Sequence, residues 1–226
     1  MNHHFPTTVH RSYLAPLAIA TLMLNVVLGI HPQADRMTWA LENSPVWLGL
    51  PALWMTRQRF PLTNICYALL TIHAVILMIG GYYTYAQVPS FNWLRDTFHL
   101  TRNYYDRLGH FAQGFVPAMV IREVLLRKSI VKPGGWLFFL CVCVCLAGSA
   151  LFELWEWRVA VGAGAASTDY LGSQGDIWDA QWDMACALIG SVTALLLLSR
   201  AQDHELSRMG SKVSHDLFPS PAEKQL

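Results

Sequence analysis

The sequence has 226 residues, of which 54% are hydrophobic and only 14% are charged. Because a typical soluble domain carries about 25% charged residues, this composition indicates a protein that lies in a membrane rather than in solution. The formal net charge is +1 and no basic block or nucleic-acid-binding motif is present, so nucleic acid is not expected among its partners.

Six apolar segments are predicted to cross the membrane as helices, since about 20 mostly apolar residues span a bilayer. They comprise residues 13–30, 37–55, 62–81, 106–126, 136–157 and 178–199. The predicted fold class is therefore an all-α, multi-pass bundle of about six transmembrane helices. Whether the second segment crosses completely is left open, because Glu42 and Asn43 make its first third polar. Pro45 and Pro51 also interrupt it.

The segments outside these spans have simpler interpretations. Residues 1–12 are expected to form a cytoplasmic N-terminal segment, and the first span lacks the cleavage pattern of a signal peptide and is expected to be retained. The connection 86–105 is long enough to hold a short helix on the membrane surface, around residues 91–100. Residues 200–226 are polar and are expected to form a cytoplasmic, largely disordered tail, with the disorder beginning past about residue 210.

The distribution of lysine and arginine predicts the orientation of the bundle. Six spans place both termini on one side of the membrane, and eleven of the 16 Lys and Arg residues fall on that side. Because basic residues are enriched in cytoplasmic loops, both termini are predicted to be cytoplasmic. The lipid bilayer is then the immediate partner of the chain.

A cluster of acidic residues begins the sixth span. Asp176, Asp179 and Asp183 are spaced i, i+3 and i+7, which places them on one face of a helix. Carboxylates are costly inside a membrane unless they have partners or a function. The predicted topology brings further polar residues to the same outer face, and Glu42 is an additional candidate there. The candidate catalytic site consists of Asp106, His110, Glu153, Glu156, Asp176, Asp179 and Asp183.

These residue types suggest metal binding or proton transfer. Carboxylates with one imidazole suit Zn, Mn or Fe, so a divalent metal ion is the candidate cofactor. Its expected ligands are His110, Glu153, Asp179 and Asp183. Crowded carboxyl groups also hold protons tightly, which would make one of them a general acid or base. The structural alternative is that the carboxylates pair with Arg102, Arg107 or Arg158 and fix the register of the helices.

Three functions are compatible with such a site, and whether the protein is an enzyme stays open. The first is an intramembrane enzyme or binding protein that acts on a lipid or lipid-linked envelope compound, with Arg102, Arg107 or Arg158 contacting a phosphate. The second is a proton- or cation-coupled transporter, although the sequence shows neither an internal repeat nor paired broken helices. The third is a non-catalytic membrane scaffold in which the polar cluster is structural.

Four stretches of the sequence resemble a known family. They are Tyr82-Tyr83-Thr84-Tyr85-Ala86-Gln87-Val88-Pro89, the segment 102–114 around Asp106-Arg107-Leu108-Gly109-His110, the motif Glu153-Leu154-Trp155-Glu156-Trp157, and the segment 171–184 around Asp176-Ile177-Trp178-Asp179. Together they resemble the YjdF family of enterobacterial inner-membrane proteins. The resemblance covers most of the chain from the first span to the sixth. It implies a bacterial, multi-pass inner-membrane protein and brings no biochemical activity with it.

A more distant similarity is to the VanZ-like membrane proteins, a family associated with teicoplanin resistance. One marker of that family is a helix that starts with acidic-basic-x-x-His, and Asp106, Arg107 and His110 match it. A second marker is a later acidic helix, to which Glu153 or Glu156 corresponds. A third marker, Asp-x-x-x-Asn-x-x-Gly, is matched only in part, because Asp183 replaces Asn and Cys186 replaces Gly. This departure leaves a shared activity open.

Overall fold

The computed structural model describes residues 13–163 and 173–209, so the expectations for residues 1–12 and 210–226 lie outside the described residues. Within the described ranges the chain contains helices and no β-strand, and it forms a helical membrane bundle, as predicted. The helices are α1 (Leu14–Ile30), α2 (Arg36–Thr56), α3 (Asn64–Tyr83), α4 (Pro89–Phe98), α5 (Tyr105–Arg127), α6 (Gly135–Ala163) and α7 (Asp179–Met209), with a 3-10 turn at Tyr85–Gln87. α4 is the short helix expected in the long connection.

Three of these helices, α3, α6 and α7, are long and apolar enough to cross a membrane, with mean hydropathies of 1.9, 2.3 and 1.8. α1 is apolar but shorter, with 17 residues. α2 and α5 have 21 and 23 residues and are more polar; at 1.5 Å per residue they are about 31 and 34 Å long. The number of six crossings and the orientation of the bundle remain predictions from the sequence.

α5 is the central helix of the bundle. It packs against α3, α6 and α7, and it buries polar as well as apolar residues, including Asp106, His110, Arg122 and Glu123. Because charged groups inside a membrane protein are costly without partners, the burial of these residues requires a polar network at each end of α5.

The backbones of α5 and α7 touch through two glycines. A Cβ atom on Gly114 of α5 would lie 1.8 Å from the carbonyl oxygen of Ala187, and one on Gly190 of α7 would lie 2.1 Å from the carbonyl oxygen of Phe111. Small residues allow helices in membranes to approach this closely. The contact sets the rotation and register of the two helices, and it thereby brings their first turns together.

The opposite end of α5 is held by a buried carboxylate. Glu123 is fully buried and accepts hydrogen bonds from the Thr63 hydroxyl at 2.7 Å and from Arg127 Nη1 at 2.7 Å. Thr63 is the N-cap of α3, so this carboxylate joins α3 to α5. Nearby, Arg122 Nη2 lies 2.6 Å from Asp203 Oδ1 and joins α5 to α7. Every charge named here has an opposite charge beside it.

α7 extends beyond the predicted sixth span and reaches Met209, ten residues past it. Gln202 and Leu206 in this extension are buried, and Gln202 Nε2 donates to the carbonyl oxygen of Met119 at 2.8 Å. Residues 200–209 precede the part of the tail that was expected to be disordered, and they are helical because they keep packing partners on α5.

Candidate functional site

The first turns of α5 and α7 meet at one end of the bundle, the acidic end, where two arginines bind the aspartates of α7. Arg102, just before α5, places Nη1 2.6 Å from Asp179 Oδ1. Arg107, in the first turn of α5, places Nη1 2.7 Å from Asp183 Oδ1 and Nη2 2.9 Å from Asp179 Oδ1. These are charge-assisted hydrogen bonds, which are about twice as strong as neutral ones.

Asp176 precedes α7 and shares the same arginines. Its Oδ1 accepts a hydrogen bond from the backbone N–H of Trp178 at 2.9 Å. Its Oδ2 lies 3.1 Å from Arg107 Nη2 and 3.5 Å from Arg102 Nη1. Asp176 and Asp179 thus have the arginine partners that the structural alternative anticipates.

His110 faces three carboxyl groups, one from each of three helices. Its Nε2 lies 3.6 Å from Asp106 Oδ1 on α5, 3.5 Å from Glu153 Oε1 on α6 and 3.9 Å from Asp183 Oδ1 on α7. On the other side of the ring, Nδ1 lies 2.9 Å from Gln113 Oε1. An amide oxygen only accepts, so in the neutral imidazole this contact puts the proton on Nδ1 and a lone pair on Nε2.

The distances around His110 Nε2 suit a shared cation better than direct hydrogen bonds. An N–H···O hydrogen bond measures roughly 2.7–3.2 Å, whereas tetrahedral ligands bound to zinc at about 2.1 Å lie about 3.4 Å from one another. Asp106, His110 and Asp183 each offer one ligand atom, these atoms all lie within 4.8 Å of one another, and the three residues are buried. This set has the composition and approximate spacing of a divalent-metal site.

The group around His110 overlaps in part with the ligand set expected from the sequence. His110 and Asp183 belong to both sets, and Glu153 approaches His110 at 3.5 Å. The Asp179 carboxylate is instead held by two arginines. Asp106 was not in the expected ligand set. It can offer a ligand atom because it lies one turn before His110 on the same face of α5.

A cavity of about 360 Å³, the polar cavity, adjoins this group between α2, α3, α5 and α6. Asp106 and His110 line it from α5, while Glu42 of α2 and Glu156 of α6 add two further carboxyl groups. Leu151 on the α6 wall is 66% exposed, so the cavity reaches the surface of the bundle beside α6.

The acidic end contains more negative than positive side chains. Two guanidinium groups, those of Arg102 and Arg107, lie among seven carboxyl groups. The carboxyl groups belong to Glu42, Asp106, Glu153, Glu156, Asp176, Asp179 and Asp183. Ionised carboxylates without counter-charges are very costly in surroundings of low dielectric constant. The folded protein must therefore take up protons or a cation at this end.

All seven residues of the predicted catalytic site lie at the acidic end, in three different settings. Asp176 and Asp179 are bound to arginines. Nε2 of His110 is surrounded by the carboxyl groups of Asp106, Glu153 and Asp183, and Glu156 lines the polar cavity. Their joint action in one chemical step stays a prediction.

Three other residues contribute to the site without having been predicted to do so. Gln113 contacts His110, and its position three residues later on the same helix is a spacing that would have identified it. His73 of α3 and Tyr85 of the 3-10 turn line the polar cavity. Their positions depend on how α3 packs against α5, and no spacing in the sequence indicates that.

Comparison with known proteins relates this chain to a membrane family. A family model described as "Predicted membrane protein (DUF2238)" matches residues 13–204. The inner membrane protein YjdF of Escherichia coli (strain K12) is 45% identical over 202 residues, which cover 87% of this chain and 96% of that relative. No solved structure matches. These findings confirm the resemblance to the YjdF family and give no support to the VanZ-like similarity.

Proposed function

The chain belongs to the DUF2238 family of predicted membrane proteins and is an inner-membrane protein, and we propose that its acidic end binds one divalent metal ion and acts on a lipid or lipid-linked compound of the cell envelope. The orientation predicted from the basic residues puts this end at the outer face of the membrane. The observation that carries the proposal is the position of His110 Nε2, which lies 3.5–3.9 Å from three carboxylate oxygens.

The tautomer of His110 strengthens this argument. With its Nδ1 proton directed at Gln113, the imidazole presents a lone pair to the oxygens of Asp106, Glu153 and Asp183. Lone pairs repel one another unless a proton or a cation lies between them. Metal-binding histidines usually donate their other ring N–H to an acceptor, which is the role that Gln113 has here.

Five residues of the acidic end then have a defined task. Asp106, His110 and Asp183 hold the ion, and Glu153 is close enough to Nε2 to join them. A bound divalent metal supplies Lewis acidity that polarises a substrate oxygen. Glu156 lines the polar cavity and is placed to exchange a proton with a molecule inside it.

The metal content of protein purified in a mild detergent tests the proposal. We expect wild type incubated with zinc to retain close to one ion per chain by elemental analysis, and His110→Ala and Asp183→Asn to lose it. Asp203→Asn is the matched control, because it removes a carboxylate that binds Arg122 at the opposite end of the bundle. A wild type that retains no stoichiometric metal, or a His110→Ala variant that retains it, contradicts the proposal.

A second candidate is proton- or cation-coupled transport, favoured by the buried Glu42 in the polar cavity. Buried carboxyl groups in membrane helices commonly mark ion pathways. This candidate predicts proton- or cation-dependent flux in proteoliposomes that is lost in Asp183→Asn and kept in Asp203→Asn. Under the scaffold alternative, Asp183→Asn lowers the folded yield, and wild type shows neither bound metal nor flux.

A further inference from the structure

A second cavity, the apolar groove, lies between α1, α2 and α3 and has a volume of about 160 Å³. Leu17, Leu53 and Leu70 line it from the three helices. It follows α2 from Pro45 to Arg57, the residue just after the helix, a distance of about 18 Å along the helix axis. One leaflet is about half of a hydrocarbon core of ~30 Å, so the groove is long enough to hold a lipid chain.

The apolar groove and the polar cavity meet inside the bundle. Pro45, His73 and Leu77 line both of them. The two spaces therefore adjoin along α2 and α3, with carboxyl groups on one side and aliphatic side chains on the other. An amphiphilic molecule has the same division between a polar head group and a hydrocarbon chain.

His73 lies where the two spaces meet and carries an unused polar atom. Its Nε2 is buried and forms no hydrogen bond with any residue in the described ranges. A buried polar atom without a partner costs free energy, which a ligand atom can recover. This observation is independent of the acidic cluster, and it points to an occupant with a polar atom near His73.

The charges of the polar cavity indicate the chemistry of the head group. Its walls carry the carboxyl groups of Glu42, Asp106 and Glu156, whereas the guanidinium groups of Arg102 and Arg107 are bound to aspartates. The seven carboxyl groups outnumber the positive charges of two guanidinium groups and one divalent ion, so the remaining carboxyl groups need protons or a further cation. A head group that is positively charged and donates hydrogen bonds therefore fits these walls best.

We propose that the polar cavity and the apolar groove form one binding site for a lipid with a primary-amine head group. The amine lies against Glu42 and Glu156, and one hydrocarbon chain passes His73 and fills the groove beside Leu53. This inference rests on the proposed function, because it names the class of molecule that reaches the metal-binding group. The expectation that Arg102, Arg107 or Arg158 contacts a phosphate stays a prediction, and Arg102 and Arg107 also bind aspartates.

Three lipids with the same dioleoyl chains and the same phosphate distinguish the head groups. Delipidated wild-type protein is titrated with phosphatidylethanolamine, phosphatidylcholine or phosphatidylglycerol, and the bound lipid is measured by native mass spectrometry. Only the first has a primary amine, while the second has a cation without N–H groups and the third has hydroxyl groups. We expect phosphatidylethanolamine to bind most tightly. Equal binding of the three lipids would indicate annular lipid only and overturns the proposal. Tighter binding of either of the other two lipids also overturns it.

Two glycines allow each space to be filled separately. Gly49 lines the apolar groove and Gly148 lines the polar cavity, and an added Cβ at either position meets no atom within 4 Å. We expect Gly49→Leu and Gly148→Leu each to abolish the preference for phosphatidylethanolamine. Gly162→Leu is the matched control on α6, because that glycine also has open space and lines neither cavity. Retention of the preference in both cavity variants overturns the proposal.

The metal content of the same preparations separates this inference from the proposed function. Gly49→Leu changes the groove alone, so it should lose the lipid and keep the metal. If wild type binds no metal but still prefers phosphatidylethanolamine, the proposed metal site is ruled out and the proposed lipid site stands. If Gly49→Leu yields no folded protein, His73→Phe removes the Nε2 atom where the two spaces meet while keeping an aromatic ring. Unchanged lipid binding by His73→Phe then overturns the proposal.

Discussion

Arg107 on α5 holds Asp183 on α7, with 2.7 Å between Nη1 and Oδ1. The same Nη1 also donates to the backbone carbonyl of Asp179 at 2.9 Å, so one guanidinium binds both a side chain and the first turn of α7. Because Asp183 Oδ1 lies 3.9 Å from His110 Nε2, this ion pair also orients a carboxylate toward the imidazole. Charge pairing and site formation are therefore compatible, since the arginine fixes a carboxylate that the site needs.

We expect Arg107→Met to destabilise the protein strongly. It leaves Asp183 without its arginine partner and Asp179 with Arg102 alone. Removing one partner of a buried ion pair typically costs about 3–5 kcal/mol. The readout is the thermal unfolding midpoint in detergent. Arg95→Met is the control, because Arg95 pairs with Asp96 on the exposed surface of α4 and should change the midpoint little. Equal shifts for the two variants would contradict this assignment.

The close contact between α5 and α7 predicts opposite effects for two glycine-to-alanine substitutions. Gly190→Ala places a Cβ 2.1 Å from the Phe111 carbonyl oxygen, and such overpacking typically costs about 1–3 kcal/mol. Gly49→Ala has open space, and replacing a helical glycine by alanine gains roughly 0.5–1 kcal/mol. Unfolding midpoints measured side by side should move in opposite directions. A Gly190→Ala variant as stable as wild type would show that the two backbones do not touch.

The buried pair at the opposite end predicts energetic coupling between Glu123 and Arg127. Glu123→Gln weakens the acceptor for Arg127 Nη1 and for the Thr63 hydroxyl, and we expect a loss of about 3 kcal/mol or less, because the amide retains one acceptor oxygen. Combining it with Arg127→Met should cost less than the sum of the single changes, since the second substitution removes a charge that the first left unpaired. Strictly additive unfolding free energies would rule out this pairing.

Asp35, the N-cap of α2, makes the stability of this helix depend on pH. Its Oδ1 accepts hydrogen bonds from the backbone N–H groups of Met37 and Thr38 at 2.9 and 3.0 Å. Hydrogen bonds from Thr38 hold the pKa of the Asp35 carboxyl below its usual value. A carboxyl group with a lowered pKa stabilises the fold above its unfolded pKa of about 3.9, and this stabilisation is lost as the pH falls through the folded pKa.

We therefore expect Asp35→Ala to cost about 1 kcal/mol at neutral pH, the usual value of an N-cap. The difference from wild type should shrink as the pH falls below about 4. Asp35→Asn keeps the cap without the charge and should stay close to wild type at pH 7. Unfolding midpoints measured between pH 3 and pH 7 check both expectations. A difference between wild type and Asp35→Ala that grows on acidification would show that the carboxylate does not stabilise α2.

Hydrophobic length and the spacing of polar residues were sufficient to predict the helices and to group the candidate site residues at one end of the bundle. α3, α6 and α7 are recognisable in the sequence because a run of about 20 apolar residues is long enough to cross the hydrocarbon core of a membrane. Asp106 and His110 were predicted to share a face because they lie one turn apart on one helix. Their common location with Asp183 followed from the order of the predicted spans, which puts the first turns of α5 and α7 on the same side.

Contacts between helices were not predictable from spacing. The approach of Glu153 to His110 and the position of His73 between two cavities depend on the rotation of neighbouring helices. That rotation is set by backbone contacts such as the one at Gly190, and a glycine in a sequence does not indicate which surface it touches. Which aspartates contact the arginines and which face the imidazole of His110 depends on the same contacts between helices.

The coordination shell of zinc bound to the wild-type protein, measured by X-ray absorption spectroscopy, tests the central claim most directly. We expect nitrogen and oxygen ligands at about 2.0–2.2 Å, with a single imidazole among them. The cysteines described in the structure are free thiols, so zinc has an alternative place to bind. A shell that contains sulfur at about 2.3 Å, or one that contains no imidazole, would contradict the assignment of the metal to Asp106, His110 and Asp183.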